Sequence, residues 1–289
     1  NCNLATTYAG EGRYEEAEKL LREALEDATW ATQNAWAQYG LHLGEVYREQ
    51  GKYGAAERVL LKAMEASRRG QEEGSDRIYD NCMVRCMNEL ARFYVIEGRD
   101  SEAEALFTKG IEIGDSQLPG KDHPFTLRHV NGLGVLLTKQ HRYEEAEALF
   151  NRALEGRGRK LGEDHPETLE TLNDFGVLRR EQQRYDEAES LLLQALEGRQ
   201  RKLGPDHPAC FESMHELGIL YIRQARYEDA EPLLLGAFHG REAKLGPEHP
   251  HTIESLKQLV TLYEFWSKPD EAAKCRARLS EAENATESN

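Results

Sequence analysis

The sequence predicts an all-α protein built from about seven tandem helix-turn-helix units. Three observations lead there. Near-copies of one apolar pattern recur about 42 residues apart. Within each copy Ala and Leu return three and four residues apart, the period of a helix face. Between copies a short polar stretch carrying Gly, His and Pro recurs, as a stop-and-restart signal would.

The second helix of each unit is the best marked. Its copies begin at Gly12, Gly51, Gly98, His141, Gln183, Ala225 and, more weakly, Ser267. In Q-R-Y-D-E-A-E-S-L-L-L-Q-A-L, residues Ala188, Leu191, Leu192, Ala195 and Leu196 fall on one face. Asp186, Glu187 and Glu189 sit in the first turn, opposite the positive end of the helix dipole. A first helix precedes each copy, marked by Leu43-Gly44 with Tyr47, Leu90-Ala91 with Tyr94, Leu133-Gly134 with Leu137, Phe175-Gly176, and Leu217-Gly218 with Tyr221. The small residue lets two helices approach, and the large one fills the space beyond. Gly12, Gly51 and Gly98 suit a left-handed residue closing the first helix. At the same place His141, Gln183, Ala225 and Ser267 must either tolerate strain or use another geometry.

The connections between units pose a choice. K-L-G-E-D-H-P-E-T-L, Lys160 to Leu169, sets an Asp beside a His and a Thr. Versions of it recur at Gln117–Thr126, Lys202–Cys210 and Lys244–Thr252. An active site is built once, from dissimilar parts, so a fourfold motif belongs to the repeat. Pro166 suits the first helical position. His165, held extended by the following proline, is the expected N-cap. Asp164 adds charge near the helix start, Thr168 bonds within the first turn, and Gly162 ends the preceding helix. The first two connections, Ala28 to Asn34 and Arg69 to Ile78, lack the motif.

Composition narrows the function classes. Net charge is −15 with no basic block, which excludes a phosphate backbone as partner. No apolar run approaches the ~18 residues of a membrane span. No signal peptide is visible, which predicts a cytoplasmic protein, or an extracellular one if an upstream signal has been removed. Five cysteines, at 2, 82, 86, 210 and 275, are too sparse for a disulfide framework. Cys82 and Cys86 share a helix face without a second Cys/His pair nearby in sequence, so no metal site is predicted. No H-E-x-x-H, G-x-S-x-G or P-loop occurs, so neither an enzyme nor a cofactor is expected.

The pattern L-G-x-x-Y, G-x-Y, A-x-x-x-L-x-x-A-L resembles the tetratricopeptide repeat. Its marker positions Leu4, Leu43, Leu90, Leu133, Phe175, Leu217 and Leu259 lie 39, 47, 43, 42, 42 and 42 residues apart, longer than the usual repeat. That length and the D-H-P connection are similar to kinesin light chain repeats and to bacterial arrays. The resemblance implies a right-handed α-solenoid over 1–283, with repeats near 1–30, 31–75, 76–122, 123–164, 165–206, 207–248 and 249–283, then a polar tail at 284–289. It also implies a concave groove lined by the first helices.

Carried over position by position, the groove residues are Arg85, Asn88 and Arg92; Arg128, Asn131 and Lys139; Asn173 and Arg180; His215 and Arg223; and Lys257. In one reading the asparagines grip a peptide backbone and the basic groups hold carboxylates, so the partner is an acidic protein segment. In the other, the asparagines bond to an adjacent helix and the arginines pair with Glu89, Asp174 or Glu216. A second function class is head-to-tail self-assembly through an uncapped first repeat, with Cys2 and Cys275 brought near one interface.

Overall fold

The computed structural model describes residues 2–10, 12–27, 33–72, 77–118 and 122–287. Among them the chain forms fourteen α-helices and no strand. They pair as seven hairpins: α1 (Cys2–Gly10) with α2 (Tyr14–Asp27), α3 (Gln33–Glu49) with α4 (Tyr53–Glu72), and α5 (Arg77–Glu97) with α6 (Asp100–Gln117). Then follow α7 (Pro124–Lys139) with α8 (Tyr143–Leu161), α9 (Pro166–Glu181) with α10 (Tyr185–Leu203), α11 (Pro208–Arg223) with α12 (Tyr227–Leu245), and α13 (Pro250–Phe265) with α14 (Pro269–Glu287). The last helix continues through the polar segment as far as Glu287. The middle of each of the first two connections, 28–32 and 73–76, and the Cys2 side chain lie outside the described residues.

All seven turns within hairpins share one backbone geometry. Gly12, Gly51 and Gly98 have φ of 78°, 72° and 75°, and His141, Gln183, Ala225 and Ser267 have φ of 57–61°. The residue after each donates its N–H five positions back: Arg13 to Tyr8, Lys52 to Tyr47, Arg99 to Tyr94, Arg142 to Leu137, Arg184 to Arg179, Arg226 to Tyr221 and Lys268 to Tyr263, all at 2.8–2.9 Å. This closure satisfies a carbonyl the helix end would leave open. The four non-glycine residues therefore accept the left-handed strain, on the order of 1 kcal/mol each, because the hairpin needs that closure.

The four Asp/Glu-His-Pro connections are helix starts. His123, His165, His207 and His249 are extended N-caps, and each ring accepts a hydrogen bond from the backbone N–H two residues on, at 3.2–3.3 Å. The accepting atom is Nδ1, so these rings cap only while that nitrogen is unprotonated. Gly162, Gly204 and Gly246 turn the chain at φ of 88–93°. Thr168 departs from expectation. Its hydroxyl donates back to the Gly162 carbonyl at 2.8 Å, tying the helix start to the turn before it, and the Cys210 thiol does the same to Gly204 at 3.2 Å.

The chain divides into two compact units, residues 1–160 and 161–289. In the first, Leu41, Leu60, Phe93, Phe107 and Leu136 centre one core, and Ala5, Ala17, Leu21, Leu43 and Val46 another. In the second, Leu192, Leu217, Leu220, Leu234, Phe238 and Leu259 form a continuous core.

Two stability outcomes follow from the turns. Gln183→Gly and Ala225→Gly should each stabilise by about 0.5–1 kcal/mol, and Gly98→Ala should destabilise by a similar amount, read as shifts of the urea midpoint. His207→Ala should cost about 1 kcal/mol, whereas His207→Asn, which keeps a capping acceptor, should cost only a few tenths.

Candidate functional site

Within each unit the first helices pack against one another. In the first unit α3 touches α5 and α5 touches α7; in the second α11 touches both α9 and α13. The sequence-predicted groove residues lie on these layers, but in two different chemical settings.

In the first unit Arg85, Asn88 and Arg92 come from α5, and Arg128 and Asn131 from α7. The two asparagines are buried, 2% and 4% exposed. The Asn88 amide nitrogen has no hydrogen-bond partner. The guanidinium groups of Arg85 and Arg128 stand 5.6 and 5.8 Å from the centre of the Phe125 ring, which holds both against one aromatic surface. Arg85 Nη2 donates to Glu45 Oε1 of α3 at 2.9 Å, and His42 Nδ1 lies 2.8 Å from the other oxygen of Glu45. Arg48 of α3 pairs with Glu89 at 3.1 Å and with Glu49 at 2.6 Å. Burial would push the Glu45 carboxyl up, but the His42 hydrogen bond and the charges of Arg85, His42 and Arg128 together hold it at about 2. Lys139 sits apart, exposed, bonded to the Val95 carbonyl and to Asp100 at 3.1 and 3.0 Å.

In the second unit most of the predicted residues are engaged within the fold. Asn173 Oδ1 accepts from Ser213 Oγ at 2.9 Å, and that hydroxyl accepts from Arg199 at the same distance. Arg180 is buried and pairs with Glu216 at 2.5 Å and Glu181 at 3.1 Å. Lys257 pairs with Glu283 at 3.2 Å. His215 is buried, and Arg223 is exposed. The adjacent-helix reading thus describes Asn173, Arg180 and also Arg85, which Glu45 of α3 holds, while Arg85, Asn88, Arg92, Arg128 and Asn131 share two neighbouring helices.

Sequence reasoning passed over three features that the repeat alignment holds. Glu45, Arg48 and Phe125 complete the first-unit face. Arg157, Arg199 and Arg241 recur at 42-residue spacing after a glycine and are buried. Arg199 and Arg241 fasten the start of the first helix of the next hairpin, through Ala209 and Ser213 and through His251 and Ser255. Finally, the repeat position that carries Arg85 and Arg128 in the first unit carries Glu170, Glu212 and Glu254 in the second. The two faces therefore present opposite charge at the same position.

Among the described residues, no group of three or more His, Cys, Asp or Glu could hold a metal ion. Cys82 and Cys86 are buried free thiols, and burial pushes the Cys86 thiol up. No described helix is long and apolar enough to cross a membrane.

A family profile described as a tetratricopeptide repeat matches residues 1–69, 83–159, 128–200 and 176–238. No curated protein sequence matches. Among solved structures, BtubC (BKLC) from P. vanneervenii is 18% identical with a TM-score of 0.63, covering 81% of this chain and 91% of its own. The nearly identical TPR-like repeats of a putative kinesin light chain from Podosopora anserina are 24% identical with a TM-score of 0.53, covering 70% and 96%. NprR in complex with its cognate peptide NprX is 15% identical with a TM-score of 0.69, covering 97% and 75%. At these identities the likeness is one of fold.

Two buried rings set an acid response. Burial lowers the His129 ring to about 4, against the opposing hydrogen bond between Nε2 and the Val84 carbonyl at 2.7 Å. Burial, then Arg241, lowers His215 to about 3. Both folded values lie below the ordinary histidine value, so the unfolded chain binds the proton first. Their contribution is whole above pH ~6.5 and is lost as pH falls toward 4, by up to about 1.4 kcal/mol per pH unit for each ring. Urea midpoints measured from pH 7 to 4 should fall across that window, and His129→Gln with His215→Gln should flatten the slope.

Proposed function

The chain belongs to the tetratricopeptide repeat family, and from that premise we propose that it is a non-enzymatic protein-interaction scaffold whose first unit binds an acidic protein segment on its first-helix face. The observation that carries this reading is the convergence of Arg85 and Arg128 on Phe125, with Arg92 and the buried Asn88 and Asn131 on the same two helices, α5 and α7. Four arginines, counting Arg48, meet three glutamates there, in a chain of net charge −15. Guanidinium groups held over an aromatic ring are pre-oriented and weakly hydrated, which suits them to carboxylates. The Asn88 amide nitrogen on α5 is buried with a hydrogen bond unmade, which a peptide carbonyl would complete if the face opens to admit it. The NprR–NprX complex is a precedent for a peptide held by this fold.

Head-to-tail stacking is less well supported. Five turn bases, Lys52, Arg99, Arg142, Arg226 and Lys268, reach a Glu on the preceding second helix, and the equivalent residue of α14 is Ala273. The groove reading also uses more of the observed chemistry.

Fluorescence anisotropy with a fluorescein-labelled hexaglutamate peptide tests the proposal. Binding should weaken at least about tenfold in Arg85→Glu with Arg128→Glu, at unchanged helicity. It should also weaken as salt rises from 50 to 300 mM, because exposed charges are screened over about a Debye length. Equal binding by the double variant, or hexalysine binding as tightly as hexaglutamate, overturns it.

A further inference from the structure

One repeat position follows the Gly or Ala of the first helix, or Val260 in α13. It holds Arg92, Val135, Val177, Ile219 and Thr261 in α5, α7, α9, α11 and α13, and Thr6 in α1. In α3 alone it holds an acid, Glu45. That one carboxylate lies against Arg85, at one of the two repeat positions that carry arginine, and both of its oxygens are engaged, by Arg85 and by His42. It is not sealed in: the Glu45 side chain is 25% exposed and that of Arg85 22%. Arg85 Nε, beside the ion pair, is buried with no hydrogen-bond partner. A guanidinium that binds a carboxylate end-on through one Nη, with Nε left over, is not making the two-pronged contact it is built for.

We propose that Glu45 is an internal occupant of the anion site on the first-unit face, a stand-in for the partner's carboxylate, which displaces it from Arg85 on binding. The inference rests on the acidic-segment reading above and adds its regulation. The exchange replaces one carboxylate by another, so Arg85 is never left uncompensated while partly desolvated. An incoming carboxylate that spans Nε and Nη2 gains the second bond Glu45 does not make. Glu45, released, points to solvent or stays with His42. The consequence is a threshold: a single anion competes poorly with a tethered carboxylate, whereas a segment that brings several acids to Arg85, Arg92 and Arg128 at once prevails.

The test measures hexaglutamate anisotropy for the wild-type chain and three variants, with far-ultraviolet helicity as a folding check. Glu45→Gln removes the occupant and should tighten binding about tenfold. Glu23→Gln makes the same change in net charge at an exposed position of α2, and should alter binding less than about threefold. Glu45→Asp keeps the charge but shortens its reach to Arg85, and should also tighten binding. Equal gains from Glu45→Gln and Glu23→Gln, or no gain from Glu45→Gln, overturn the proposal; if Arg85→Glu with Arg128→Glu still abolishes binding, the acidic-segment reading stands without it. Absence of hexaglutamate binding by every folded variant overturns both.

Discussion

Four of the seven hairpins depend on two helices crossing where the first of them has no side chain. A Cβ on Gly44 would lie 2.5 Å from Leu60, on Gly218 2.5 Å from Leu234, and on Gly176 2.7 Å from Leu192. On Gly134 it would meet the Phe150 ring at 3.0 Å. The branched or aromatic residue of the second helix fills the space the glycine vacates, so the pair sets both the distance and the rotation of the hairpin. Interiors packed to this density do not absorb an extra methyl without a shift. Once the crossing is set, the chain must reverse within a few residues. The left-handed turn residue is a consequence, accepted even where it is Ala or Gln.

The second level of order joins one hairpin to the next. At five of the seven turns the basic residue that follows reaches a Glu on the preceding second helix: Lys52 to Glu18, Arg99 to Glu57, Arg142 to Glu104, Arg226 to Glu189, and Lys268 to Glu231 at 3.7 Å. Tyr94, Tyr221 and Tyr263 donate their hydroxyls to the same carboxylates at 2.9–3.1 Å. The guanidinium groups of Arg99 and Arg226 also stand over those tyrosine rings, at 3.7 and 4.0 Å. Pairs this exposed contribute little individually, typically 0–1 kcal/mol. Their effect is positional. Within each unit they hold one hairpin in register with its predecessor and so bring neighbouring first helices side by side.

Register in turn creates the candidate site. Glu45 and Arg85 are 40 residues apart, Arg180 and Glu216 36, and Asn173 and Ser213 40. None of these contacts exists within one hairpin. The same stacking that offers Arg85 and Arg128 a shared aromatic surface in the first unit engages Arg180 and Asn173 in the second. At the repeat position that carries Asn, Asn173 is an internal tie to Ser213, while Asn88 keeps an amide nitrogen without a partner, according to what the neighbouring hairpin supplies.

The sequence by itself determined the helices, their pairing, the turn and cap residues, and the family. Those features rest on local chemistry: a 3.6-residue period, the proline that opens a helix, the histidine before it, the small residue at a crossing. It also marked Asn88, Asn131 and Asn173 as equivalent, because the repeat aligns them. Tertiary structure alone decided which of them meets a neighbour, that His141, Gln183, Ala225 and Ser267 adopt the glycine geometry, and that Arg180 is spoken for while Arg85 is held by an acid from α3. A side chain's partner across some 40 residues is set by the angle and register of stacking, and no periodicity in the sequence encodes those.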